Sequence, residues 1–195
     1  MPIGVYALAN GGREEFRCAP GPAGWRWFST VETPGSEAHH EVIDYAVDGA
    51  WRPVRIRIDT GSHALLLSAS GERFVGASDA EGVDLPLPED VDYRSPCFNA
   101  VTANRVRRTT DVQPLFIEPA TLEHRLEAQR YELLGRERVS TPVGAFEAEA
   151  WRYTAIGTGW TARIWVAGDV VVSYEGLYEL VEYEPGPRGP FPTAR

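Results

Sequence analysis

The segment from Gly159 to Tyr183, GWTARIWVAGDVVVSYEGLYELVEY, decides the fold class of this chain. Two apolar runs rich in β-branched and aromatic residues flank Gly168-Asp169, a dipeptide typical of the turn in a tight β-hairpin. The expected cross-strand pairs are Trp165–Val172, Arg163–Tyr174, Val166–Val171 and Trp160–Leu177. Large apolar side chains then lie on both faces, whereas a sheet with one solvated face alternates apolar and polar residues. Either a second layer of protein or a ligand must therefore cover the second face.

Strand patterns continue along the rest of the chain. Residues 51–59 (WRPVRIRID) alternate apolar and arginine residues with the period of a half-buried strand. Turn sequences such as Gly61-Ser62 and Thr141–Gly144 recur about every eight to twelve residues. The pattern predicts a mainly β protein, an antiparallel meander that closes toward a barrel or a sandwich.

Three segments do not follow the strand pattern. Pro119–Gln129 has the composition of a helix, although its apolar residues also alternate as in a strand. Residues 78–104 are rich in Pro, Asp and Asn and indicate a long irregular connection. The Pro/Gly-rich tail, residues 185–195, is expected to be mobile. We predict a single domain over residues 1–195, with an ordered body at about 13–184.

Composition excludes several classes of function. The 195 residues carry a formal charge of −9 and a pI near 5.0, which argues against nucleic acid as a partner. The N-terminus shows no signal peptide, and no apolar stretch approaches the length of a membrane span. Cys18 and Cys97 are expected to be reduced rather than paired, so we predict a cytoplasmic protein without an integral membrane segment.

The sequence carries no enzyme signature. His39-His40 with Glu41 does not make a metal site, because adjacent residues of a strand point to opposite faces. Cys97 lacks the context of a nucleophile and is expected to be a small buried apolar residue. We therefore expect no catalytic residue, no metal and no cofactor. Two features remain. Six tryptophans suit an apolar cavity with aromatic walls, although aromatic residues in strands more often belong to a core. The cations Arg55 and Arg57 share one strand face, a pattern typical of a solvated face and also suited to an anionic or hydroxylated head group.

Four short motifs follow one another along the chain: YAVDGAWR at 45–52, DVDYRSPCFN at 90–99, QRY at 129–131, and ARIWV with VVSYEGL within 162–177. Together they resemble a bacterial glycolipid-binding family, whose binding role rests largely on its fold and whose fold is similar to that of the outer-membrane lipoprotein carriers. The chain departs from the family after Asn99, where Thr102–Arg105 replaces a Pro-Ile-Arg-Arg run. The resemblance implies a single strongly curved antiparallel sheet that forms a half-open barrel, with at most one or two short helices. It also implies a strand over 119–129 and a structural loop at 90–99.

The expected function is non-catalytic binding of a lipid or glycolipid on the concave face of the half-barrel. The predicted ligand-binding residues are Trp51, Arg55, Arg57, Tyr93, Asn99, Arg105, Trp151, Trp165 and Tyr174. Two alternatives stay open: an enzyme of unrecognised type, with Asp92, Asn99, Asn104 and Arg105 at the barrel mouth, and an interaction module that pairs through an open sheet edge. The sequence leaves the identity of the ligand and the oligomeric state open.

Overall fold

The computed structural model describes residues 1–21, 23–34 and 39–186, with the backbone alone for His39. The described strands are β1 (Ile3–Leu8), β2 (Arg13–Gly21), β3 (Gly24–Thr33), β4 (His39–Asp48), β5 (Pro53–Asp59), β6 (Ala64–Ser70), β7 (Arg73–Ser78), β8 (Glu81–Pro86), β9 (Val91–Asp92), β10 (Thr110–Val112), β11 (Leu115–Ile117), β12 (His124–Leu126), β13 (Gln129–Thr141), β14 (Gly144–Ala155), β15 (Trp160–Ala167), β16 (Val170–Tyr174) and β17 (Tyr178–Glu184). Helix α1 spans Pro96–Val106. The end of the predicted mobile tail, residues 187–195, lies outside the described residues.

A single sheet of 14 strands dominates the structure, in the order β10-β13-β14-β15-β16-β17-β1-β2-β3-β4-β5-β6-β7-β8. The pairings within it are antiparallel, and the sheet keeps two free edges, β8 and β10. The mainly β class and the half-open barrel are therefore confirmed. Strand β1 pairs with both β17 and β2, so the ordered body begins ahead of the predicted boundary at about residue 13.

Helix α1 lies inside the curve of the sheet. The Phe98 ring stacks on Tyr45 of β4 at 4.6 Å, while the next residue, Asn99, donates a hydrogen bond to the Tyr131 hydroxyl of β13 at 2.8 Å. Strands β4 and β13 are eight places apart in the sheet order, about 38 Å if the sheet were flat. Neighbouring helix residues reach both strands only because the sheet wraps around the helix.

The helix divides the interior into two apolar clusters. The first core cluster joins Cys97, Phe98 and Val101 of α1 to the inner residues of β1–β7, and the second joins Ala100 and Ala103 to the inner residues of β13–β16. All helix residues from Pro96 to Ala103 are buried. A helix buried on every side has no amphipathic stripe that would reveal it in the sequence. The Pro, Asp and Asn content of residues 78–104 favoured an irregular connection instead. This expectation was wrong, since β8, β9 and most of α1 lie there.

The closing hairpin has the predicted turn at Gly168-Asp169 and a different register. Val166 faces Val171 as expected, but Trp165 faces Ser173 and Ile164 faces Tyr174, because Val172 forms a β-bulge. The expected pairs Trp165–Val172 and Arg163–Tyr174 are therefore wrong, and Leu177 lies in the next turn rather than opposite Trp160. Protein covers both faces: Trp165 and Val172 pack with the first core cluster, Ile164 and Tyr174 with the second.

Pro119–Gln129, where the sequence left helix and strand open, does not form the helix that its composition favours. A single helical turn ends at Leu122, whose φ of 55° is left-handed and whose side chain is fully buried in the first core cluster. Burial of Leu122 fixes this turn, and the chain leaves it to form β12 and then β13. The strand that the family resemblance implied is thus present only in part.

Candidate functional site

The two free edges of the sheet do not meet, and the small sheet β12-β11-β9 lies at the gap between them. A cavity of about 800 Å³ opens here, with walls from both edges. Its apolar lining consists of Leu85, Pro86, Leu87 and Pro88 on the β8 side and Val112, Leu115, Leu126, Ala128 and Ile156 on the other side. Leu126 is 64% exposed and Ile156 46% exposed, so the cavity wall presents two large apolar side chains to solvent.

A second cavity of about 620 Å³ continues the first along β8. The two share Leu85, His124 and Arg125, so they form one groove, here called the edge groove. The added part is lined mostly by polar side chains, those of Ser78, Glu81, Asp84, Thr121 and Glu123, beside the apolar Val83 and Leu122. The edge groove is therefore apolar at one end and polar at the other.

The polar end of the edge groove is acidic. Arg125 lies over the Phe116 ring at 4.5 Å and pairs with Glu127 at 3.4 Å, so its charge is already neutralised. Asp84 is paired with Arg73 at 2.7 Å. Among the described residues, no cation forms an ion pair with Glu81 or Glu123. This end consequently suits a cationic or hydroxylated group better than an anionic one.

The free edge of β8 is poorly suited to pairing with a partner strand. Pro86 has no N–H to donate, and the carbonyl of Asp84 already accepts a hydrogen bond from Arg73 at 3.0 Å. Natural sheets use proline and charged side chains in this way to prevent edge-to-edge association. The β8 edge is therefore a poor template for an added strand.

None of the nine predicted ligand-binding residues lines the edge groove. Trp51 lies in the β4–β5 turn with a left-handed φ of 64°, and its ring is 5.7 Å from Trp25. Arg55 and Arg57 alternate with the fully buried Ile56 and Ile58, so they point away from the interior.

The remaining predicted residues lie among the helix contacts or on the hairpins. Trp151 and Tyr174 are buried in the second core cluster, while Trp165 packs on the first and donates its indole N–H to Glu137 at 3.0 Å. Tyr93 is buried against Phe98. Arg105 forms a two-point ion pair with the buried Asp90. The structure therefore does not bring Trp51, Trp151 and Trp165 together around one cavity.

The polar residues of the enzyme alternative fall into separate sets. Asp92 accepts hydrogen bonds from Gln129 and, at 3.5 Å, from the Tyr153 hydroxyl, and burial raises the pKa of Asp92 to about 6. Asn99 is bonded to Tyr131, whereas Asn104 donates to two backbone carbonyls, those of Ala100 and Gly168. Asp92, Asn99 and Asn104 each form hydrogen bonds with different partners, and none of the three lines the edge groove.

Sequence reasoning missed the edge groove. Its signal was the run Leu85-Pro86-Leu87-Pro88, in which apolar residues alternate with prolines. Prolines are excluded from central strands, so this run marks the end of an edge strand with apolar side chains beside it. The opposite wall comes from residues 111–115, 124–128 and 156, which only the fold brings to the same place.

Comparisons with known proteins give the fold. No protein-family model and no curated protein matches the sequence. A DUF1089 family protein from Pseudomonas aeruginosa is similar in structure, with a TM-score of 0.61, 17% sequence identity, and coverage of 85% of this chain and 91% of that one. A β-barrel-like protein of domain of unknown function DUF1849 from Brucella abortus has a TM-score of 0.53 and 10% identity, over 94% of this chain and 96% of that one. At these identities the likeness shows a β-barrel-like fold alone. In the described part of the chain, no helix is both long and apolar enough to cross a membrane.

Proposed function

We propose that this protein binds an amphiphile, a lipid or glycolipid, in the edge groove without catalysing a reaction. The observation that carries the proposal is the groove itself: an apolar cavity of about 800 Å³ that continues into a polar one of about 620 Å³. A molecule with an apolar chain and a polar head matches this division. The motifs that resemble the glycolipid-binding family support the same class of ligand.

The interior of the barrel is a less suitable place for the chain of the ligand. Phe98, Val101 and Cys97 of α1 fill the space that the concave face was expected to offer, and each is about 1% exposed or less. A ligand there would have to displace α1 and its contacts. In the edge groove, Leu126 and Ile156 are exposed already, so covering them removes apolar surface from water without loss of protein packing.

Thermal unfolding with a neutral amphiphile, decyl maltoside below its micelle concentration, tests the proposal. Binding to the folded state stabilises it by about 2.7 kcal/mol at a ligand concentration one hundred times the dissociation constant. Leu126→Asp and Ile156→Asp each place a charge in the apolar end of the groove and should weaken binding at least about tenfold. The matched control is Leu66→Asp, since Leu66 is 43% exposed on β6 and lies outside the edge groove.

Varying the charge of the head group distinguishes binding in the edge groove from binding at the strand face that carries Arg55 and Arg57. With a decyl chain held constant, we expect trimethylammonium and maltoside heads to bind more tightly than sulfate, because Glu81 and Glu123 line the polar end. A preference for the sulfate head that disappears in the double variant Arg55→Gln/Arg57→Gln would instead place the ligand at the strand face of these arginines. If none of the three compounds stabilises the protein, the binding proposal is wrong.

A further inference from the structure

Two completely buried glutamates face the segment that leads into α1. Glu14 of β2 and Glu41 of β4 are each 0% exposed, and both are directly opposite Val31 of the intervening strand β3. Fully buried carboxyl groups are uncommon and need specific partners. The groove that we propose as a ligand site uses neither residue.

The partners of both glutamates lie immediately ahead of the helix. The Ser95 hydroxyl donates to Glu14 Oε1 at 2.7 Å, and Arg94 forms an ion pair with Glu41. Ser95 occupies the N-cap position of α1, yet its side chain makes no capping hydrogen bond. Its hydroxyl is used to attach the helix to the barrel wall, so the first turn of α1 depends on Glu14.

The surroundings of Glu14 favour its neutral form. Among the described residues, the ionisable groups that face it are all acids: Glu41 of β4, Tyr6 of β1, Tyr178 of β17 and Cys97 of α1. The cation of this region, Arg94, is held by Glu41. Burial, which outweighs the hydrogen bond from Ser95, raises the pKa of Glu14 to about 7.

We propose that Glu14 is a protonation-dependent latch, which in its neutral form holds Ser95 and the first turn of α1 inside the barrel and on ionisation releases them. The reason is solvation. A carboxylate anion buried among other acids must gain water or a cation, and β1, β2 and β3 on its strand side are held by continuous ladders. The segment 93–98 is attached to this wall of the barrel through the side chains of Arg94 and Ser95, so we expect this segment to move when Glu14 ionises.

Hydrogen exchange of peptides that span residues 93–106 tests the latch. For a group whose pKa is about 7 in the closed state and 4.5 in the open state, the opening equilibrium rises about 30-fold between pH 5.5 and pH 8.5. We expect the protection of this segment, corrected for the intrinsic exchange rate, to fall by about that factor, while the ladder of β2 and β3 keeps its protection. Equal protection at both pH values would overturn the proposal.

Variants assign the effect to Glu14. Glu14→Gln, which cannot ionise, should abolish the pH dependence, and Ser95→Ala should reduce protection already at pH 5.5. The matched control is Glu15→Gln, because Glu15 is exposed on the opposite face of β2 and should leave the wild-type profile unchanged. A profile in Glu14→Gln that still falls 30-fold would show that another group controls the segment. Amphiphile binding at the edge groove is measured separately, so its failure would leave this result unaffected.

Discussion

Replacement of Glu14 by glutamine should change the slope of stability against pH. The pKa of Glu14 is about 7 in the folded protein and ordinarily 4.5, a difference of 2.5 units. At 1.36 kcal/mol per unit, ionisation of the buried group costs the folded state about 3 kcal/mol once the pH exceeds 7. Because the folded state binds the proton more tightly than the unfolded state, the free energy of unfolding falls as the pH rises from 4.5 to 7. Below pH 4.5 the group is protonated in both states and contributes no pH dependence.

Urea unfolding followed by tryptophan fluorescence, at half-unit steps from pH 4 to pH 8.5, measures this slope. Wild type should lose about 3 kcal/mol relative to Glu14→Gln across the window, whatever the offset between the two proteins at pH 4. Asp92→Asn is the control. The pKa of Asp92 is about 6, so the loss of stability caused by its ionisation is complete about one pH unit below that caused by Glu14. Parallel curves for wild type and Glu14→Gln would refute the reasoning.

Two further substitutions test the fold. Phe98→Ala removes a ring that is 1% exposed and stacked on Tyr45, so it should lower the free energy of unfolding by about 3–5 kcal/mol in urea; equal stability would show that α1 does not fill the interior. Gly176→Val places a β-branched residue at a φ of 71° in the β16–β17 turn and should cost about 1–3 kcal/mol by thermal melting; an unchanged melting temperature would exclude a left-handed turn there.

The strands were predictable because their signals are local. The alternation at 53–59 and the turn at Gly168-Asp169 depend on residues a few positions apart, and the structure has both. The bulge at Val172 was not predictable, because it depends on how the hairpin twists against neighbours that are distant in sequence. Strand β1 was missed for a similar reason, since it forms by insertion between β17 and β2.

Helix α1 illustrates the limit of periodicity as a signal. Proline at its start is a sound helix marker, but Asn99, Thr102 and Asn104 give the segment the composition of a loop. Asn99 is buried because Tyr131 accepts its hydrogen bond, and that tyrosine lies 32 residues further along the chain. A polar residue in a core is acceptable when a partner is supplied, and a single sequence does not show the partner.

The number of aromatic residues suited either a core or the wall of a cavity, and many of them pack in the two core clusters. Phe16 and Trp27 stack at 4.2 Å, and Trp27, which is 0% exposed, also stacks with Tyr6. A curved sheet of 14 strands encloses more volume than aliphatic side chains of its inner face easily fill, so large rings together with a helix are needed. With α1 in place, apolar surface stays exposed at Leu126 and Ile156, where the sheet fails to close. The shape of the sheet thus accounts for both the filled interior and the edge groove.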